Sequence, residues 1–177
     1  MKRIKLATLL IVIVSLNFSC VTNTETNSTD TETNSTERSI GFTNWSDDGE
    51  VYKWYLGTDA AVDLVVDLDK VWEKQDYAKM RTFFADTAKF YKRDGKFFDN
   101  TTDFINEISS KDEEEATVWK LLSAYSVDFD PSRGGEHVQA SFEITNKAGD
   151  VIRELHEQYY IIDSKIVQWR QFSLPLK

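Results

Sequence analysis

At Val118 the hydrophobic pattern of this chain changes period, and that change decides its fold class. Beyond it Trp119, Leu121, Tyr125, Val127 and Phe129 alternate with Lys120, Ser126 and Asp128, and Val138, Ala140, Phe142 and Ile144 alternate with His137, Gln139, Ser141 and Glu143. Alternation at every second residue marks strands with one buried face. Val151 to Ile162 and Lys165 to Phe172 continue as strands, separated by turns at Pro131 to Gly135, Asn146 to Asp150 and Asp163-Ser164. Upstream the spacing is three and four. Ala61, Leu64, Val65, Leu68, Val71 and Trp72, opened by Thr58-Asp59, predict a helix to about Lys74. Asp76 caps a second short helix bearing Tyr77, Met80, Phe83 and Phe84, and Thr101, Thr102 and Asp103 open a third through Phe104, Ile105 and Ile108. Between them Thr87 to Lys92 and Lys96 to Phe98 flank an Asp94-Gly95 turn as a hairpin. Helices first and an antiparallel sheet after them is an α+β order.

The chain has 177 residues, enough for one domain and an appendage, and the appendage is N-terminal. Lys2, Arg3 and Lys5 precede the apolar run Leu6 to Val14, which ends in Leu16-Asn17-Phe18-Ser19-Cys20. A basic start, a short apolar middle and a small residue before the break are the parts of a secretory signal, and the run is too short to span a bilayer comfortably. Cys20 directly after Ser19 resembles the lipobox of bacterial lipoproteins, with Asn17 where Leu is common. That resemblance implies residues 1–19 as a signal peptide, cleavage before Cys20, acyl chains on Cys20 and a membrane partner through that lipid. Val21 in place of Asp favours the outer membrane of the cell envelope.

Residues 20–39 form the expected lipidated Cys and tether. Thr, Asn, Ser and Glu dominate Val21 to Arg38, and ETNST occurs at Glu25 to Thr29 and again at Glu32 to Thr36. Nothing there offsets an ordering cost of about 1–2 kcal/mol per residue. Loss of Lys2, Arg3 and Lys5 from the 21 basic residues leaves 30 acidic residues against 18 basic ones. Such a body is repelled by an anionic membrane and by nucleic acid, so the lipid must anchor it and no nucleic-acid partner is expected. The single Cys excludes an internal disulfide.

Residues 40–177 make up the folded domain. Val71-Trp72-Glu73-Lys74-Gln75-Asp76-Tyr77, then Phe83-Phe84-Ala85-Asp86-Thr87-Ala88, the Asp94-Gly95 turn, and the ending Tyr159 to Phe172 resemble nuclear transport factor 2-like proteins, including polyketide-cyclase-like members. A Gly usually stands at Ser164 in that ending. The resemblance implies a cone, with three N-terminal helices packed on a strongly curved, mostly antiparallel sheet around a pocket open at one end. Members include isomerases, cyclases, dehydratases, non-catalytic binders and dimerising adaptors, so fold alone leaves activity open.

A two-residue turn at Asp163-Ser164 sets Ile161 opposite Ile166, Tyr160 opposite Val167, Gln158 opposite Trp169, Glu157 opposite Arg170 and His156 opposite Gln171. On that register Glu157 and Arg170 form an exposed charge pair, and His156, Gln158, Tyr160, Trp169 and Gln171 face the cone. His156 is the candidate base, with Tyr160 or Asp128 assisting, and Tyr91, Gln158, Trp169 and Gln171 are candidate pocket residues. Two His residues without an HExxH spacing do not suggest zinc, and the Gly134-Gly135 pair lacks a phosphate-loop context, so no metal or cofactor is expected. The leading expectation is a lipid-anchored extracytoplasmic module that binds a small apolar or aromatic ligand. The alternatives are a cofactor-free isomerase, cyclase or dehydratase in the same cone, and an adaptor that dimerises through Leu155, Tyr159, Ile161, Ile166 and Phe172.

Overall fold

In a computed structural model of the protein the described residues are 38–44, 49–110, 117–129 and 134–174. All belong to the unit Glu37–Lys177. The expected signal peptide, Cys20 and the expected tether as far as residue 37 lie outside the described residues, as do the charged run 111–116 and most of the Pro131 turn.

Eight strands form one sheet in the order β1-β2-β5-β6-β7-β8-β3-β4, curled but not closed. The strands are β1 (Gly41–Thr43), β2 (Tyr52–Leu56), β3 (Phe84–Tyr91), β4 (Phe97–Phe98), β5 (Val118–Asp128), β6 (Gly135–Thr145), β7 (Val151–Ile162) and β8 (Lys165–Leu174). Every pairing is antiparallel except β3 with β8. The helices are α1 (Asp59–Glu73), α2 (Tyr77–Met80) and α3 (Thr101–Ser109). The α+β architecture expected from the change of period is the one observed.

Each helix begins where its cap residue sits. Thr58 accepts from the Ala61 amide, Asp76 from Lys79 and Asn100 from Asp103, each satisfying an amide that the helix leaves without a partner. Glu136 on β6 adds to the first cap, accepting from the Thr58 amide and hydroxyl and from Ser126. Burial raises the Glu136 pKa, but these donors outweigh it and hold the carboxyl below its ordinary value. Gly57 is required there, because a Cβ would lie 2.0 Å from the Ser126 hydroxyl.

Ala61, Val65, Leu68 and Val71 of α1 are buried toward β5 and β6. Phe104 of α3 stacks on Phe90 at 3.9 Å and lies 5.3 Å from Trp169. Burying one such side chain contributes about 1.5–3 kcal/mol. The core therefore sits between the three helices and one face of β3 and β5 to β8, and that face carries the site.

Two bulges set which residues that face receives. In β5 the register shifts between Leu121 and Ser123, so Trp119 and Leu121 share a face with Ala124 and Ser126 rather than with Tyr125. In β8 the register shifts at Val167, so Ile166 still opposes Ile161 but Gln168 opposes Tyr160, Trp169 opposes Tyr159 and Gln171 opposes Glu157. The regular pairing expected from the sequence is wrong beyond Ile166, because the extra residue moves everything after it to the other face.

Candidate functional site

Glu157 stands in the middle of β7 among Leu155, Tyr159 and Ile161, all buried on the helix-covered face. It is only 3% exposed. The expected exposed pair with Arg170 does not form. Arg170 opposes Gln158 on the other face and lies over the Tyr91 ring at 4.8 Å. Glu157 is instead held by three donors. Tyr159 donates its hydroxyl to Oε2, Trp169 donates Nε1–H to Oε2 at 3.0 Å, and Gln171 donates Nε2–H to Oε1 at 2.9 Å. Two lone pairs of Oε2 and one of Oε1 are used, so Oε1 retains a free acceptor site. Burial raises the Glu157 pKa above its ordinary value against the opposing pull of these three bonds, and Asp69 adds to the rise. Burial first, then the Glu157 charge, drive the Tyr159 phenol well above its ordinary value, so the phenol remains a proton donor.

Glu157 and Tyr159 form part of the lining of a cavity of about 320 Å³ between the last turns of α1 and the start of β5. Leu68, Trp72, Trp119 and Phe142 supply apolar wall, and Asp69, Glu73, Gln75 and Thr117 supply polar groups. Asp69, Trp72 and Glu73 share one stripe of α1 at i, i+3 and i+4. The Trp72 and Trp119 rings stack at 6.4 Å and 23°, and Trp119 is pinned by donating its Nε1–H to Thr117 at 3.1 Å. Burial, then the neighbouring Glu73 charge, raise the Asp69 pKa. A half-open cavity of this size, walled by aromatics and bearing a few converging polar groups, has the form of a small-molecule site. A second hollow of about 390 Å³ lies beside the start of α1, but its Glu136 is already committed to capping.

Of the residues singled out from sequence, Trp169 and Gln171 do face inward, and both reach the Glu157 carboxylate. His156, Gln158 and Tyr160 occupy the opposite face of β7. There the His156 Nε2 lies 2.8 Å from Gln139 Oε1, and Tyr160 stacks on His137 at 4.4 Å. Tyr91 also belongs to that face, beneath Arg170. Asp128 opposes Tyr55 at the far end of β5, away from the cavity. Four of the five residues expected to form a dimer patch, Leu155, Tyr159, Ile161 and Ile166, are core residues, and Phe172 is exposed on the other face. Sequence reasoning missed Glu157, Asp69, Glu73, Trp72, Trp119 and Tyr159. A signal for Glu157 exists: it is the one charged position in the apolar alternation Leu155, Tyr159, Ile161. Among the described residues no group of three His, Cys, Asp or Glu side chains is placed to hold a metal ion.

The fold is that of nuclear transport factor 2-like proteins. An NTF2-like protein from Mesorhizobium loti superposes with a TM-score of 0.53 at 12% identity, over 66% of this chain and 92% of that one. A candidate ketosteroid isomerase from Kribbella flavida gives 0.54 at 9% identity, over 69% and 83%. A cystatin-like-fold protein from Caulobacter vibrioides gives 0.57 at 9% identity, over 67% and 89%. No protein-family model and no curated protein matches the chain in sequence. At these identities the likeness is one of fold.

Proposed function

We propose that the chain is a lipid-anchored extracytoplasmic module whose cone binds a small molecule with an apolar or aromatic body. The cavity beneath α1 carries this reading. Its aromatic wall offers stacking area, and the Glu157–Tyr159–Trp169–Gln171 network gives a fixed polar end against which a ligand is oriented. The leader ending in Cys20 supports placement in the cell envelope, on the outer membrane, with the acidic body held off the headgroups by its tether. Native mass spectrometry of the protein purified from its own membrane fraction tests the pocket. A co-purifying small molecule that is lost in Trp72→Ala supports the reading, and a bare chain with no mass shift across an aromatic fragment library counts against it.

A second reading rests on Glu157 alone. A buried carboxylate with a raised pKa and a free acceptor site beside an aromatic-walled cavity is suited to moving a proton beside a carbonyl, the task of a cofactor-free isomerase, cyclase or dehydratase. On that reading Glu157 takes the role expected of His156, and Tyr159 holds it in place. Exchange of deuterium into a bound carbonyl compound, abolished in Glu157→Gln with binding retained, distinguishes catalysis from binding.

A further inference from the structure

Resting on that pocket reading, we propose that the ligand is an organic cation: an ammonium head placed among Asp69, Glu73 and Glu157, with its body laid along Trp72 and Trp119. The side chains in the cavity lining that can carry charge near neutral pH are the carboxylates of Asp69, Glu73 and Glu157, and no Lys or Arg lines it. Among the described residues no ion pair includes Asp69, Glu73 or Glu157.

Three features of the cavity are electrostatically unfavourable, and a positive charge relieves each of them. Glu73 closes α1 and Asp69 lies one turn before it, at the helix end where the dipole favours cations and disfavours carboxylates. The two are like charges at i, i+4, which repel on a helix surface. Glu157 is held away from water in the cavity floor, within electrostatic reach of Asp69. Local charge rules broken together around one hollow are expected at a functional site.

Two further observations set the kind of cation. The three carboxylates line one cavity without forming a group able to hold a metal ion, so the complementary charge is diffuse. The paired indoles present a π surface of the sort that attracts an alkylammonium, strongly when water is excluded. The formal charge of −9 on the whole chain steers such a ligand inward.

The test uses the full chain in detergent and two probes of one shape, phenyltrimethylammonium and its neutral isostere tert-butylbenzene, followed by tryptophan fluorescence. The cation is expected to bind at least ten-fold more tightly, to weaken with added salt, and to lose about three- to ten-fold in Asp69→Asn and in Glu73→Gln, with tert-butylbenzene unaffected. Glu73 is exposed, so its variant serves if Asp69→Asn fails to fold. Equal binding of both probes overturns the cation assignment and leaves the pocket standing. Cation binding unchanged in both variants places the charge elsewhere and also overturns it. Binding of neither probe overturns the cation and the pocket together.

Discussion

The Trp169 indole donates to the Glu157 carboxylate at 3.0 Å, although in a regular hairpin Trp169 would oppose Gln158 and Glu157 would oppose Arg170. The difference is one residue, Val167, bulged out of β8. The bulge returns Trp169 and Gln171 to the face that holds Glu157, so a buried carboxylate gains two of its three donors through a backbone irregularity. A local change in pairing thereby supplies donors to the carboxylate in the cavity floor.

Replacing Trp169 by Phe removes one donor from a buried carboxylate and keeps most of the ring. Hydrogen bonds to charged groups contribute about 1.5–3 kcal/mol, so Trp169→Phe is expected to lose roughly that much stability. Urea unfolding at pH 7 reads the loss. A variant as stable as the parent would show that the indole serves only to fill space.

Because the Glu157 pKa is raised in the folded state, the fold binds that proton more tightly than the unfolded chain does. Its contribution is complete below the unfolded value near 4.5 and declines as pH rises through the folded one. Asp69 shifts in the same direction, and Glu136, whose pKa is lowered, acts oppositely at lower pH. Glu157→Gln removes one titrating group. The stability of the variant relative to the parent, measured as urea midpoints between pH 4.5 and 7.5, should therefore improve as pH rises above 4.5 and level off once the folded carboxyl has ionised. A constant difference across that range would show that Glu157 titrates normally.

The elements are legible because each carries a local signal: cap residues at Thr58 and Asp76, the Thr101-Thr102-Asp103 opening of α3, whose cap is in fact the preceding Asn100, and an uninterrupted alternation from Val138 to Ile144. The site was legible only in part. Neither bulge has a Gly or Pro to announce it, and a shift of one residue exchanges the two faces of a strand. That is why His156, Gln158 and Tyr160 were expected inside while Trp169 and Gln171 were placed inside by the wrong pairing. Glu157 falls at the same alternate positions as Leu155, Tyr159 and Ile161. Regular pairing sets Arg170 opposite it, and that charge match points to an exposed pair against an apolar pattern that is correct. Asp69 and Glu73 carry no sequence signal for a site, since helical spacing shows which stripe faces the core but not that a cavity borders its flank.

The β7–β8 turn places two L-residues in the left-handed region, Asp163 at φ 49° and Ser164 at φ 59°. Such turns favour Gly at the second position. Left-handed backbone costs a non-glycine residue about 1–2 kcal/mol, part of which glycine returns as unfolded-state entropy. Ser164→Gly is expected to stabilise the fold by about 0.5–1 kcal/mol, read by thermal unfolding. A destabilised variant would mean that the serine side chain does more for the turn than the backbone strain costs.

If acyl chains on Cys20 are the anchor, removing the thiol removes the attachment, because each buried methylene contributes about 0.8 kcal/mol and the acidic body offers no electrostatic replacement. Cys20→Ser should fail to incorporate labelled fatty acid and should shift from the membrane to the soluble envelope fraction after leader cleavage. Retention of the processed variant on membranes would require a different attachment.

His137 lies between Phe129 and Tyr160 at ring distances of 4.3 and 4.4 Å, and its buried Nδ1 has no hydrogen-bond partner among the described residues. Burial, then the Arg170 charge, lower its pKa from 6.5 to about 4. A depressed histidine contributes stability that is complete above 6.5 and lost as pH falls toward 4, because the unfolded chain takes up the proton first. At pH 4.5 the lost contribution is on the order of 2 kcal/mol. His137→Phe keeps the aromatic stack and cannot titrate. It should match the parent near pH 7.5 and exceed its stability by roughly that amount at pH 4.5. Parallel acid unfolding curves for the two proteins would show that the imidazole protonates freely in the folded state.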